Sequence, residues 1–293
     1  MTDFGFNHLP LTGWFPGHML KAGRKMREAL KLVDLVVELI DARAPRSTRN
    51  PAFRQILQGK PVLIVANKVD LADPVMSGWW QAYLERMGDQ VFLLDARNPA
   101  HPAELIRCWK NSVHEEREKR GAHNKLSRPV RIMIAGIPNV GKSTLVNRLH
   151  SGKKAEVGPK AGVTRHNQWI TLKGGVELLD TPGVLWPHIR DKAHELRLAL
   201  IGSMKDDVMN VELLAEYLWS ELHQQPPERV AWDLYNLEAC PDTPDALMQA
   251  VAQRRGILRG GGKIDYTRTA IALLKDYRDC RIGRLTLEAP PQD

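Results

Sequence analysis

Residues 136–144, which read Gly-Ile-Pro-Asn-Val-Gly-Lys-Ser-Thr, decide the fold. An apolar run over residues 132–134 precedes this stretch and an amphipathic segment follows it, so the order is strand, glycine loop, helix. The two glycines let the backbone wrap a chain of phosphates, whose charge is met by main-chain amides and the helix N-terminus. We therefore predict a phosphate-binding loop (P-loop), in which Lys142 reaches the β- and γ-phosphates and Ser143 binds Mg²⁺.

A second motif, Asn67-Lys68-Val69-Asp70 (the base motif), lies upstream of the P-loop and follows its own apolar run. The carboxylate of Asp70 can accept hydrogen bonds from N1 and from the exocyclic amine of guanine, and adenine presents no such pair. Because a buried carboxylate left unpaired is costly, such a site rejects the wrong base by roughly 10⁴–10⁵. GTPases normally carry the P-loop first, so the reversed order predicts a circularly permuted guanine-nucleotide domain.

Further nucleotide contacts are predicted in three loops. In Asp180-Thr181-Pro182-Gly183, Asp180 is expected to hold Mg²⁺ through a water and the Gly183 amide to sense the γ-phosphate. Thr164 is a candidate Mg²⁺ ligand, and the alternative is an ordinary loop threonine. The Ala96 amide is expected to contact the base oxygen, while Asp95 stands where GTPases usually carry serine. The predicted nucleotide-binding residues are Asn67, Lys68, Asp70, Asp95, Ala96, Arg97, Asn139, Val140, Gly141, Lys142, Ser143, Thr144, Thr164 and Gly183.

The group that activates the attacking water is not in its usual position. Ras-like enzymes carry a water-orienting glutamine after this glycine, and here the residue is Val184, which cannot orient water. One candidate is His18, on a Pro-Gly turn, which could reach the γ-phosphate; alternatively it packs or touches RNA. The other is Asn139, which could hold K⁺ beside the phosphates in place of an arginine finger; alternatively it only shapes the loop.

Composition limits the class of protein. The chain has 293 residues, 42 Lys and Arg against 34 Asp and Glu, and a formal net charge of +8. This balance favours a polyanionic partner such as RNA. The three cysteines are far apart, which indicates neither a disulfide framework nor a zinc site. No apolar run is long enough to span a bilayer and no targeting segment is recognisable, so we expect a cytoplasmic protein without a membrane anchor, with a monomer as the default.

The order of apolar and amphipathic segments predicts two parts. Strands are expected over residues 35–40, 62–66, 91–94, 130–135, 169–172 and 176–179, and helices between them over 19–32, 51–58, 79–87, 102–120 and 143–149. After about residue 186 only helical periodicity remains, with helices expected over 211–222, 243–256 and 266–280 and a stop at Gly283. We predict an α/β fold: a circularly permuted P-loop GTPase domain (1–188), with a mostly parallel six-stranded sheet and helices on both faces, followed by a small all-helical domain (189–293).

Basic residues gather near the C-terminal end of the helical part, where phosphate contacts would make binding salt-sensitive. Alternatively, these basic residues only form a solvent-exposed helix face. A run of three glycines at 260–262 would allow close approach of the backbone to a phosphate. The predicted RNA-binding residues are Arg254, Arg255, Arg259, Lys263 and Arg268.

Together these motifs resemble the circularly permuted ribosome-assembly GTPases of the RbgA (YlqF) type. The resemblance covers essentially the whole chain, through WFPGHM (14–19), DARAP (41–45), the base motif, the P-loop and the tail RRGILRGGGKIDYTRTA with GRLTLE. It implies a GTPase that binds the immature large ribosomal subunit, promotes its late maturation and contacts ribosomal RNA through a helical C-terminal domain. It also implies a catalytic role for His18 and a link between Asn139 and K⁺.

Three other functions are alternatives for this sequence. A permuted GTPase of the small subunit is disfavoured, because such relatives carry an N-terminal β-barrel and a zinc-binding Cys/His cluster that this sequence lacks. A signalling or trafficking GTPase is also disfavoured, because it would need a lipidation signal or an amphipathic anchor, and this sequence shows neither. A GTP-gated RNA-binding scaffold with little hydrolysis remains open, since it is consistent with Val184.

Overall fold

The structure is a computed structural model. It describes residues 6, 9–11, 28–49, 57, 59–121, 128–150, 168–172, 174–180, 189, 191–204 and 209–291, with the backbone alone at positions 168 and 180. The strands are β1 (Leu35–Asp41), β2 (Val62–Asn67), β3 (Gln90–Leu94), β4 (Val130–Ala135), β5 (Gln168–Leu172) and β6 (Val176–Asp180). The helices are α1 (Pro45–Thr48), α2 (Pro74–Arg86), α3 (His101–Lys119), α4 (Lys142–Leu149), α5 (Lys192–Leu200), α6 (Val211–His223), α7 (Pro244–Arg255) and α8 (Tyr266–Arg278).

The strands form one six-stranded sheet in the order β3-β2-β1-β4-β6-β5. All neighbouring pairs are parallel except β5 and β6, which are antiparallel. The predicted α/β fold with a mostly parallel sheet is therefore confirmed. Only β1 separates the P-loop strand β4 from the base-motif strand β2, so the carboxyl ends of these three strands meet at one edge of the sheet.

Burial on both faces explains why the strands read as continuous apolar runs. Every residue of β1 is buried, and its alternate side chains enter different clusters: Leu35, Val37 and Leu39 join the main core, and Val36 packs with Met133 on the other face. The one charged side chain inside the run, Glu38, lies 3.4 Å from Arg49. The predicted strand bounds agree with the structure to within one residue at each end.

The helices differ more from the sequence prediction. Helix α2 begins five residues earlier than predicted, because Asp73 caps it and Pro74 opens it. Helix α5 was not predicted; it is short, and its cap is Asp191, whose side chain accepts a hydrogen bond from the amide of His194. The stop predicted at Gly283 is wrong, because α8 ends at Arg278 and Cys280 takes a left-handed conformation with φ 61°. The predicted helices at 19–32 and 51–58 fall mostly outside the described residues.

The last described residues return to the part of the chain that contains the sheet. Arg284 donates to the carbonyl oxygens of Val69 and Ala72, and the amide of Leu287 donates to that of Arg43. The buried carboxylate of Glu288 accepts from the amides of Arg46 and Ser47 at the start of α1, at 2.8 and 3.0 Å. The C-terminal segment is thus hydrogen-bonded beside the base motif rather than confined to the helices.

Candidate functional site

The P-loop joins β4 to α4 in a space that admits no extra atoms. A Cβ added at Gly136 would lie 2.4 Å from the carbonyl oxygen of Leu39. A Cβ added at Gly141 would lie 2.2 Å from Nδ2 of Asn67, and Gly141 has φ +103°. Glycine is therefore required at both positions, since the loop must pass close to β1 and to the base motif.

Asn67 holds the base motif to the P-loop. Its Nδ2 donates to the carbonyl oxygen of Val140 at 2.8 Å, and its Oδ1 accepts from the Ala96 amide at 3.0 Å. One side-chain amide therefore connects the loops after β2, β3 and β4. The two motifs that the sequence separates lie side by side, as an undivided nucleotide site requires.

Lys68 makes the second connection between the two motifs. Its backbone has φ 65°, and its Nζ donates to the carbonyl oxygen of Asn139 at 2.7 Å. The same Nζ lies 2.8 Å from Oδ2 of Asp41, the last residue of β1. Burial lowers the pKa of Lys68 although Asp41 opposes the shift.

Asp41 and Arg43 were not among the predicted site residues. Arg43 donates to Asp41 through Nε at 3.0 Å and through Nη2 at 2.9 Å, and Asp41 is fully buried. Burial alone would raise the pKa of Asp41, but the adjacent Arg43 and Lys68 outweigh burial and lower the pKa to about 2. The signal that could have found this pair is an acidic residue ending an apolar strand next to the base-motif strand.

The base-contact side of the site is occupied by ion pairs within the chain. The guanidinium of Arg97 lies against the carboxylate of Asp70, and the Arg97 amide donates to Oδ1 of Asp95 at 2.8 Å. Asp95, which departs from the usual serine, therefore shapes this turn. The Ala96 amide is engaged by Asn67, so its predicted contact with the base would require that hydrogen bond to be shared or exchanged.

The remaining P-loop residues open α4. Lys142 donates from Nζ to the carbonyl oxygens of Gly136 and Ile137 at 3.1 and 2.8 Å, and Ser143 and Thr144 are exposed in the first turn. Asp180 ends β6 beside Ile134 of β4, which puts its backbone at the same sheet edge. The predicted residues His18, Thr164 and Gly183 lie outside the described residues, and their roles stay predictions.

The comparisons with known proteins agree with this geometry. A family described as "50S ribosome-binding GTPase" matches residues 131–223. Over 279 residues the chain is 41% identical to the ribosome biogenesis GTPase A of Bacillus cereus, an alignment that covers 95% of this chain and 94% of that protein. The chain belongs to the ribosome biogenesis GTPase A family. It is accordingly a GTPase that acts in ribosome assembly.

More distant relatives also match over nearly the whole chain. The mitochondrial ribosome-associated GTPase 1 of Xenopus tropicalis is 33% identical over 314 residues, covering 98% of this chain and 97% of that one. A crystal structure of GNP-bound YlqF from T. maritima superposes with a TM-score of 0.66 at 26% identity, covering 93% of this chain and all of that chain. The circular permutation predicted from the motif order is shared with this family.

The predicted RNA-binding residues divide into two groups. Arg255 and Arg259 form ion pairs with Asp276 and Asp265, at 2.5 and 3.0 Å. Lys263 and Arg268 are exposed, and no side-chain ion pair is seen for either within the described residues. Arg254 is also exposed, and its Nε donates to the carbonyl oxygen of Leu234 at 3.3 Å. None of the helices in the described part of the chain is long and apolar enough to cross a membrane.

Proposed function

We propose that the chain binds GTP between the base motif and the P-loop, binds the immature large ribosomal subunit in that state, and leaves it after hydrolysis. The observation that carries the proposal is the side-chain amide of Asn67, which donates to the Val140 carbonyl of the P-loop and accepts from the Ala96 amide, so that the guanine-reading segment lies against the phosphate-binding segment. Asp70 would read the base, and Lys142 with the amides of the P-loop would hold the phosphates.

Mg²⁺ dependence is typical of this GTPase family, and the donor set fits the ion, because Ser143 is exposed in the first turn of α4 and Asp180 ends β6 at the same edge of the sheet. Ser143, Asp180 and Thr164 would hold Mg²⁺. When bound, the ion would neutralise charge that develops on the phosphates. Asn139 would hold K⁺ through its side-chain oxygen, since its Nδ2 is already donated to the carbonyl oxygen of Gly202 at 2.7 Å.

For hydrolysis, we propose that His18 orients the attacking water, since Val184 cannot. A test is single-turnover hydrolysis by His18→Ala and by its matched variant His223→Ala, each with and without large subunits. We expect the first to lose about a hundredfold or more of the stimulated rate and the second to keep it. Equal rates in the two variants would remove His18 from the reaction.

The ribosomal contact is proposed for the helical part, residues 189–293, with residues 1–188 forming the nucleotide domain. The support is the exposed cationic surface of Arg254, Lys263 and Arg268, for which phosphate groups are natural ligands. Arg255 and Arg259 would contribute mainly by holding this surface in shape, because each already has an acidic partner. We propose that the protein acts in the cytoplasm and as a monomer.

The experiment is co-sedimentation with immature large subunits under GDP and under a non-hydrolysable GTP analogue. We expect association with the analogue and release with GDP. Lys263→Ala should reduce the salt dependence of binding by about one phosphate contact, whereas the exposed Lys119→Ala on α3 should leave it unchanged. Sedimentation that ignores the nucleotide would contradict the switch, and absence from the large subunit would contradict the partner.

A further inference from the structure

The carboxyl end of α5 is held by three side chains from three distant parts of the chain. Residues 199–202, here called the α5 turn, present four consecutive carbonyl groups at the end of the helix, where intrahelical partners run out, although that of Ala199 also accepts from the Gly202 amide. Arg278 of α8 donates to the oxygens of Ala199 and Leu200, at 2.9 and 3.0 Å. Arg43, which follows β1, donates to the oxygen of Ile201 at 3.1 Å.

The fourth carbonyl of the α5 turn is bound by the P-loop itself. Nδ2 of Asn139 donates to the oxygen of Gly202 at 2.7 Å. The Asn139 carbonyl in turn accepts from Lys68, which is paired with Asp41, which is paired with Arg43. The contacts therefore close a ring that runs from the P-loop through the base motif and β1 to the α5 turn, and back to the P-loop.

Arg43, like Asn139, contacts both the nucleotide part and the α5 turn, and it does so as a buried side chain. Its side chain is 3% exposed, it makes two hydrogen bonds to the Asp41 carboxylate, and the same Nη2 reaches Ile201. Its guanidinium also lies 5.9 Å from the ring centre of Tyr277 on α8. A planar guanidinium can make these contacts at once, whereas a lysine ammonium cannot.

We propose that Arg43 is a positioning residue that couples the nucleotide site to the helical part through the α5 turn. It acts on the phosphates through Asp41, Lys68 and the Asn139 carbonyl, and on the helices through Ile201. The inference rests on the proposed place of the nucleotide.

Coupling of this kind is reciprocal. If displacement of the α5 turn alters how the P-loop is held, then nucleotide binding must favour one position of the turn by the same factor. A ribosomal partner that moves the helices would thereby change nucleotide affinity, although it touches no nucleotide. The helical side of the ring can be altered without changing any residue that contacts GTP.

The experiment measures the dissociation constant for a fluorescent GDP in Arg43→Lys and Arg278→Met, below the unfolding transition of each variant. We expect each to weaken binding by about three- to thirtyfold, since substitutions along such networks change coupling by amounts of this order. The matched control is Arg281→Met, which removes the same charge from a side chain that is 52% exposed and lies 3.7 Å from Asp276. It should bind GDP like the unaltered chain.

A double variant distinguishes coupling from general loosening. If Arg43 and Arg278 act through the same turn, combining the two substitutions should weaken binding by less than the product of the separate factors. Unchanged GDP affinity in both folded single variants, or strictly multiplicative effects, would overturn the inference. Failure of the proposed nucleotide site would instead be seen in the unaltered chain, as an absence of preference for GTP over ATP.

Discussion

At the scale of single residues, the nucleotide site is organised by side chains that need not touch nucleotide. Both ends of the Asn67 amide are hydrogen-bonded to neighbouring loops. The Lys68 ammonium is bound to the Asn139 carbonyl and to the carboxylate of Asp41. Asp70, by contrast, is paired with Arg97, whose side chain is exposed. Base choice should therefore depend on Asp70, and the shape of the site on Asn67 and Lys68.

The Asp70→Asn variant tests this division. Xanthine carries a carbonyl where guanine carries its exocyclic amine, so an amide at position 70 offers a donor that xanthine can accept and guanine cannot. We expect GTP affinity to fall by about a hundredfold or more and XTP affinity to rise. Competition binding measures both. Asp95→Asn is the control, since its side-chain oxygen can still accept from the Arg97 amide; if it changes base choice equally, Asp70 has no special role.

The buried Asp41 predicts a dependence of stability on acid. Its pKa is lowered from 3.8 to about 2, so its ion pairs stabilise the fold fully above pH 4, and this stability is lost as the pH falls towards 2. The contribution is about 2 kcal/mol. Asp41→Asn should unfold more easily at pH 7, by about 3 to 5 kcal/mol, because Arg43 and Lys68 lose their carboxylate.

Urea unfolding between pH 2 and pH 7 measures this effect. The Asp41→Asn variant should lose less stability than the unaltered chain between pH 4 and pH 2, since it lacks the titrating group. Asp233→Asn is the control, because Asp233 is exposed and should leave the whole pH profile in place. Parallel pH profiles for Asp41→Asn and the unaltered chain would contradict the assignment.

At the scale of elements, the P-loop depends on contact between segments that are distant in the chain. Gly141 needs φ +103° and also needs the space beside Asn67, whereas Gly121 needs φ +72° and has open space around it. Alanine in the left-handed region costs about 1–2 kcal/mol at either position. At Gly141 the clash with the Asn67 amide adds to that cost.

We therefore expect Gly141→Ala to lose both stability and nucleotide binding, and Gly121→Ala to lose stability alone. Urea unfolding and fluorescent-GDP titration measure the two properties. Both variants place alanine at a positive φ, with more strain at +103° than at +72°, so a loss of GDP binding confined to Gly141→Ala reports the geometry that the P-loop needs beside Asn67. Equal GDP affinities would show that the approach is not needed for binding.

Local pattern was sufficient to predict the strands, the P-loop and most helices of the C-terminal part. Thr243 with Pro244 marked the start of α7, and a left-handed Gly256 marked its end, as the sequence suggests. Helix α5 was not predicted because it has only nine residues and its buried positions include two charged residues, Lys192 and Glu195, which pair with each other and interrupt the apolar pattern. The pairing of Arg43 with Ile201 could not be predicted, because it depends on tertiary contact across 158 positions.

At the scale of the whole molecule, the C-terminal segment and the GTPase part share buried polar contacts. Glu288 is 6% exposed; besides its bonds to the α1 amides, its carbonyl accepts from the indole of Trp80 on α2 at 2.8 Å. Arg197 of α5 also lies 3.8 Å from its carboxylate. The segment therefore contacts α1, α2 and α5, and its loss should destabilise both parts.

The Glu288→Ala variant should lower the free energy of unfolding by about 2 to 3 kcal/mol, because the buried amides of α1 lose their acceptor. Urea denaturation followed by tryptophan fluorescence measures the change. The control is Glu238→Ala, since Glu238 is exposed and its replacement should alter stability by less than about 0.5 kcal/mol. An equal response from the two variants would mean that Glu288 does not secure the segment.

The strand order has a consequence for the protein during its synthesis. During synthesis β1, β2 and β3 emerge first, and β2 can pair with both of the others, but the other edge of β1 has no partner until β4 emerges. Until then one edge of β1 presents unpaired main-chain N–H and C=O groups, and the nascent chain lacks the P-loop that would bind phosphates. While it is still attached to a ribosome, this assembly factor is therefore exposed to pairing with other chains through β1, until translation has passed the middle of its message.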